Sequence, residues 1–138
     1  MQYLLVLLLL VCNQSLAERV RWQDYDIHYT TFKSSLVPAE VAGVHGIVRS
    51  DRRIVTNIVI LQNGRPIAAR IKGSATNLLN QLFDLNFVEV KEQDAIYYLA
   101  SQIIDQRDTI RFAIDVTPVN SSETYSLKFT RQYYKGAQ

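Results

Sequence analysis

A chain of 138 residues, 48% of them hydrophobic, is one domain in length and rich enough in apolar side chains for a sizeable core. Its 15 basic and 13 acidic residues leave a net charge of only +2, which gives no case for nucleic acid as a partner. The single cysteine, Cys12, and the single methionine, Met1, stand at the start, so the rest of the chain has no thiolate metal site, thiol nucleophile or disulfide.

Leu4 to Val11 is a continuous apolar run, too short to cross a bilayer as a helix. Ser15-Leu16-Ala17 follows with small residues where a signal peptidase needs them, so residues 1–17 read as a signal peptide cut before Glu18. Acylation of Cys12 is the competing reading, but Val11 stands where that signal takes Gly, Ala or Ser. Residues 18–138 then form a single β-sandwich domain of roughly 120 residues, stabilised by its core alone. An exported domain without disulfides fits a bacterial periplasm, with no stable membrane insertion.

Arg21 to Phe32 alternates, with Tyr25, Ile27 and Tyr29 on one side and Asp24, Asp26, His28 and Thr30 on the other, the pattern of one half-buried strand. Pro38 opens a short helix over Pro38 to Ala42, which Gly43 and Gly46 end. Gly46 to Asn77 reads as a long β-hairpin about Asn63-Gly64, since both residues tolerate the positive φ of a type I′ turn. A two-residue loop sets Ile60 opposite Ile67, Ile58 opposite Ala69 and Thr56 opposite Ile71 on a dry face. Val55, Asn57, Val59, Arg70 and Lys72 fall on the other face, read as solvated.

Leu78 to Phe83 is expected to form a helical turn or a crossing between sheets. The apolar phase shifts within Asp84 to Val90, which predicts a β-bulge near Phe87. Ala95 to Ala100 is apolar on both faces and reads as central. Thr109 to Val116 points Ile110, Phe112, Ile114 and Val116 inward, and Tyr125, Leu127 and Phe129 define the inner face of the last strand. Seven or eight short strands with one short helix predict an all-β, two-sheet antiparallel sandwich, immunoglobulin-like in the broad sense. A small closed barrel is the alternative.

The tracts DYDIHYTTF, PAEVAGVHGIVRS, Asn57-Ile58, GSATNL, EVKEQDAIYYLA and FTRQYY occur in an order that resembles a small exported family of Gram-negative proteobacteria. That family is catalogued as a domain of unknown function, number 4426. The resemblance covers nearly the whole chain after the leader and implies a periplasmic β-sandwich with no established activity. Its motif positions here include Tyr29, Gly46, Arg49, Ser50, Asn57, Thr76, Asn77, Tyr97 and Tyr98.

Candidate chemistry is sparse. Asp24, Asp26 and His28 share a strand face, but successive same-face residues lie ~6.6–6.8 Å apart, too far for all three to reach one ion. His28 and His45 are the only imidazoles, and there is no Gly-x-Ser-x-Gly elbow to place a nucleophile. Glu89, Glu92 and Asp94 cluster at a strand end and turn, where carboxylates are ordinarily solvated. Arg49, Arg52 and Arg53 form the densest basic cluster and suit bidentate recognition of an anionic ligand, a lipid headgroup or a partner's carboxylate. Arg49 is expected to pair with a carboxylate at the sandwich edge. In Tyr97-Tyr98 and Tyr133-Tyr134, one ring of each pair is expected inward and the other outward as an anchor.

These features point to a non-catalytic binding or assembly module that recognises a periplasmic or envelope protein, or another envelope component. It needs no cofactor and no metal, and Arg49, Arg53, Asn57, Arg70, Asn77, Tyr98 and Tyr134 are its candidate binding residues. A small periplasmic hydrolase with an unrecognised site is the alternative, and a sandwich holding a small apolar ligand is a third reading.

Overall fold

A computed structural model describes residues 18–104 and 107–134, the side chains of Arg107 and Tyr134 excepted. The expected leader lies outside the described residues. The elements run β1 (Glu18–Trp22), β2 (Tyr25–Lys33), a 3-10 turn (Ser34–Leu36), α1 (Ala39–His45), β3 (Arg53–Gln62), β4 (Arg65–Pro66), β5 (Ala69–Thr76), β6 (Leu82–Leu85), β7 (Val88–Glu92), β8 (Ala95–Ile103), β9 (Arg107–Pro118) and β10 (Tyr125–Tyr134). One sheet has the order β1-β2-β3-β8-β7, with β4 appended to β3, and the other is β10-β9-β5-β6. All pairings are antiparallel, and the two sheets form a sandwich, not a closed barrel.

The first predicted strand is two. Gln23 takes φ 55°, and β1 folds back so that Trp22 pairs with Tyr25. The expected alternation survives in β2, where Tyr25 and Ile27 are buried and Tyr29 packs on the same core. The helix is longer than predicted, Ala39–His45, with Pro38 at its N-cap and Gly46 in the left-handed region at φ 68° closing it.

Asn63 and Gly64 turn as the sequence demands, with φ of 54° and 78°. Leu61 pairs with Pro66 and Gln62 with Arg65, and Ile67 N–H donates to Ile60 O at 2.9 Å. There the predicted hairpin stops. Ile58 pairs with Tyr98, not Ala69, and Thr56 with Ala100, not Ile71. The chain leaves β3 after Ile67, and β5 joins the opposite sheet with Ile71 beside Val116. The physical reason is competition for an edge. A strand has two, and β2 fills one edge of β3 while β8 and β4 fill the other.

The solvated face assigned to β3 is also corrected. Val55 and Asn57 are buried, at 0% and 3% exposure, because α1 and the preceding turn cover the outer face of the first sheet. Phe32, Val37, Val41, Ala42, Val55, Val90, Tyr97 and Leu99 form this second core. The main core lies between the sheets and contains Ile27, Ile54, Ile58, Ile60, Ile110, Phe112, Ile114, Val116 and Leu127. Arg70 and Lys72 remain exposed, which suits β5 to a sheet with one wet face.

No bulge explains the phase shift of Asp84 to Val90. Two strands in different sheets do: Leu85 of β6 lies in the main core, Val90 of β7 in the second, and the chain crosses between them at Asn86 and Phe87. Gly73 makes room for that crossing, since a Cβ there would stand 3.2 Å from the Phe87 ring and 3.0 Å from Ile114. The segment after Asn77 is a tight turn leading into β6, neither a helical turn nor a crossing between sheets, since β5 and β6 pair in one sheet.

Candidate functional site

The sheets stack with β10 following β2. The Trp22 and Tyr125 rings lie 5.6 Å apart, the Tyr29 and Phe129 rings 4.6 Å apart, and Tyr133 Oη donates to Thr31 Oγ1 at 2.6 Å. The register therefore sends Gln23, Asp24, Asn63, Gly64 and the segment after Pro118 to one end of the sandwich. Lys33, Arg49–Arg53, the Asn77–Gln81 turn, Ile103 and Tyr133 go to the other.

Hydrogen bonds between loops seal the first end. Gln23 Nε2 donates to Glu123, Tyr25 Oη to Asn120 Oδ1 (2.6 Å), Asn120 Nδ2 to Gln62 Oε1 (2.9 Å) and Gln62 Nε2 to Asp24 Oδ2 (2.8 Å). The second end is apolar and basic. Leu78, Leu79 and Leu82 are 61%, 73% and 67% exposed, and Leu36, Val48 and Ile103 are exposed at the same end.

These side chains stand on stiff supports. Buried Asn77 accepts from Leu79 N–H (3.0 Å) and Gln81 N–H (2.9 Å) through Oδ1, and its Nδ2 donates to Gln81 Oε1 at 2.7 Å. Asp108 Oδ1 accepts from Leu78 N–H at 3.2 Å, and Asn80 turns the chain at φ 61°. Buried Ser34 holds the arginine loop: its Oγ accepts from Ser50 N–H (2.9 Å) and lies 2.8 Å from Val48 O. Arg49 forms no carboxylate pair among the described residues. It donates to Ser35 O at 3.0 Å, while Ser35 Oγ donates to Asp51 at 2.8 Å. Arg52 is exposed, Arg53 half-buried, and exposed Arg111 donates to Asn80 Oδ1 at 3.1 Å.

Of the candidate residues, Arg49, Arg53 and Asn77 thus share one end, and the backbone of Tyr134 reaches it beside Arg107. The other three lie elsewhere. Asn57 is buried on the β3 face that carries Val55, Arg70 is exposed on the opposite sheet, and Tyr98 is buried in the main core. Tyr97 does not face solvent either, because the second core takes it. Tyr98 Oη accepts from Ala69 N–H (2.8 Å), just where the chain changes sheets, and donates to Glu89 (2.7 Å). Burial pushes its pKa up to about 12, the Ala69 N–H opposing and Glu89 adding.

At the open edges of the two sheets, Arg131 Nη2 pairs with Glu18 at 2.8 Å and lies over the Phe129 ring at 4.9 Å, while Tyr29 Oη donates to Glu18 at 2.7 Å. Burial and Glu18 together push Tyr29 up to about 12. Asp26 is engaged by Arg21 at 3.1 Å. Burial lowers His28, with Asp26 partly opposing and Arg19 adding. Among the described residues, no three His, Cys, Asp or Glu groups are placed to hold a metal ion.

Two features escaped the sequence reading. A pocket of about 60 Å³ opens beside the C-terminus of α1, lined by His45, Gly46, Ile47, Val55, Asn86, Val88, Val90, Leu99, Ala100 and Ser101. The buried His45 Nε2 has no hydrogen-bond partner among the described residues. Buried Gln102, next to Ile103, also has neither amide atom partnered there. Sequence distance hid the pocket, since three strands and a helix end converge on it. The exposed leucines were legible as Leu78-Leu79 after Asn77, but the helical reading concealed their exposure.

A family model described as a domain of unknown function (DUF4426) matches residues 19–136. The chain belongs to this family. A DUF4426 protein from the Gram-negative Pseudomonas aeruginosa is 34% identical over 88% of this chain and 97% of its own, with a TM-score of 0.80. Two structures of FetP from uropathogenic Escherichia coli, one a copper-bound variant and one of protein expressed in the periplasm, are 9% identical with TM-scores of 0.62. They cover 86% and 87% of this chain and 95% of their own, a likeness of fold. No curated protein matches the DUF4426 chain in sequence. No helix among its described residues is long and apolar enough to cross a membrane.

Proposed function

We propose that this protein is an exported, non-catalytic binding or assembly module of the periplasm that recognises a protein or another envelope component. The observation that carries the reading is the contrast between its ends. One is closed by polar hydrogen bonds, whereas the other carries exposed Leu78, Leu79 and Leu82 and also Arg49, Arg52 and Arg53, on hydrogen-bonded supports. Exposed apolar side chains gathered beside arginines characterise recognition surfaces. Rigid supports reduce the conformational entropy lost on binding. The leader expected over residues 1–17 supports periplasmic placement.

The test is to purify the tagged exported protein from cell envelopes beside a Leu78→Ser/Leu79→Ser variant. A protein or envelope molecule retained stoichiometrically by the first and lost by the second supports the module. If the variant retains everything the parent does, this surface is not the recognition site.

One observation favours the hydrolase as second reading: His45 and Ser101 line the same pocket. Their pairing is not assembled, because a general base must hydrogen-bond its nucleophile and His45 Nε2 bonds to no described residue. Turnover in an ester or amide substrate screen that disappears in Ser101→Ala would establish this reading and displace the non-catalytic one.

A further inference from the structure

Taking that recognition surface as correct, we propose that its partner is an anionic phospholipid bilayer surface, against which the leucine-and-arginine end docks. The two kinds of side chain ask for a partner that is apolar below and negatively charged above. Leu78 and Leu79 on one turn and Leu82 at the start of β6 are each more than 60% exposed, and Leu36, Val48 and Ile103 are exposed at the same end. Arg111 reaches this turn through Asn80, and Lys33, Arg49, Arg52 and Arg53 stand at the same end. Of the described acidic groups there, Asp51 accepts from Ser35 and buried Asp108 from the backbone of Leu78 and Thr109, while exposed Asp84 lies two residues from Leu82 in β6. A guanidinium suits a lipid phosphate because it offers parallel donors, and leucine suits the acyl boundary beneath it.

The opposite end is the natural control, for it carries the exposed Val119 among hydrogen-bonded polar loops.

The experiment is cosedimentation of the purified exported protein with vesicles of phosphatidylethanolamine containing phosphatidylglycerol, and with vesicles of phosphatidylcholine alone. Binding is expected only to the anionic vesicles and should weaken as salt rises. Leu78→Ser/Leu79→Ser should lower the partition coefficient at least ~10-fold, Arg52→Gln should weaken binding and flatten its salt dependence, and Val119→Ser should leave it unchanged. Unaltered urea midpoints show that each variant is folded. Absence of binding to anionic vesicles, or binding indifferent to both leucine and arginine changes, overturns the proposal. If vesicles are ignored but the leucine variant loses a captured protein, the lipid fails and the recognition module stands. If it loses only self-association in sedimentation, the partner is a second copy and the lipid again fails. Loss of nothing in any assay rejects both readings.

Discussion

Removing one oxygen at Tyr98 tests the least expected part of the fold, the change of sheet after Ile67. Tyr98→Phe keeps the ring, which is 4% exposed in the main core, so burial of apolar surface is nearly unchanged. Two hydrogen bonds disappear. Glu89 has a 40% exposed side chain, and water replaces its lost donor at little cost. Ala69 N–H is part-buried at the crossing and has Tyr98 Oη as its acceptor at 2.8 Å. An unsatisfied buried donor costs ~1–3 kcal/mol, and partial access by water sets the expected loss at about 1–2 kcal/mol. With a urea slope of ~2 kcal/mol per molar, the midpoint should fall by about 0.5–1 M at unchanged slope. Glu89→Gln, which preserves an acceptor for Tyr98, should change stability by less than ~0.5 kcal/mol. A Tyr98→Phe midpoint within error of the parent would show that Ala69 N–H is satisfied by water, and that this hydrogen bond does not secure the crossing.

Four further outcomes are expected. Ile58→Ala should cost ~2–5 kcal/mol because Ile58 is fully buried, whereas Arg70→Ala on the wet face should cost less than ~0.5 kcal/mol, both from denaturant melts. Gln102→Met should be neutral or stabilising by ~1 kcal/mol, since it removes a buried amide without a described partner; a clear loss would place a bound water or ligand at Gln102. Tyr29, Tyr98 and Tyr133 are each pushed up to about 12, chiefly by burial, so phenolate absorbance should show late-titrating groups near that pH. Between pH ~10 and about 12 the folded state keeps protons that the unfolded chain has lost, so their contribution is complete below pH ~10 and falls through that window. Intact mass of the exported protein should begin at Glu18; a lipid-modified Cys12 would refute the leader reading.

Wherever a residue's fate depends on its neighbours along the chain, the sequence was sufficient. The inward row Ile110, Phe112, Ile114 and Val116 follows from two-residue alternation, and all four are buried. Asn63-Gly64 turns where positive φ is cheapest, and Ala95 to Ala100, apolar on both faces, is flanked by β3 and β7. Order and spelling of the short motifs were enough for the family. Of the candidate surface, Arg49, Arg53 and Asn77 were visible, but that they share an end with three exposed leucines was not.

Strand partnership belonged to the tertiary structure. Period-two alternation says which side chains share a face, not which sheet owns that face or which segment occupies an edge. Ile58 had an acceptable partner in Ala69 nearby, yet Tyr98 took the place, 40 residues on. Asn57 and Val55 had the alternation of a solvated face, and only α1 folding over them made it a second core. The apolar shift between Leu85 and Val90 carried the signature of a bulge or of a change of sheet, two solutions with the same local pattern. Edges and faces are shared among distant segments, so their assignment is a competition decided by total burial and hydrogen bonding, which no local window contains.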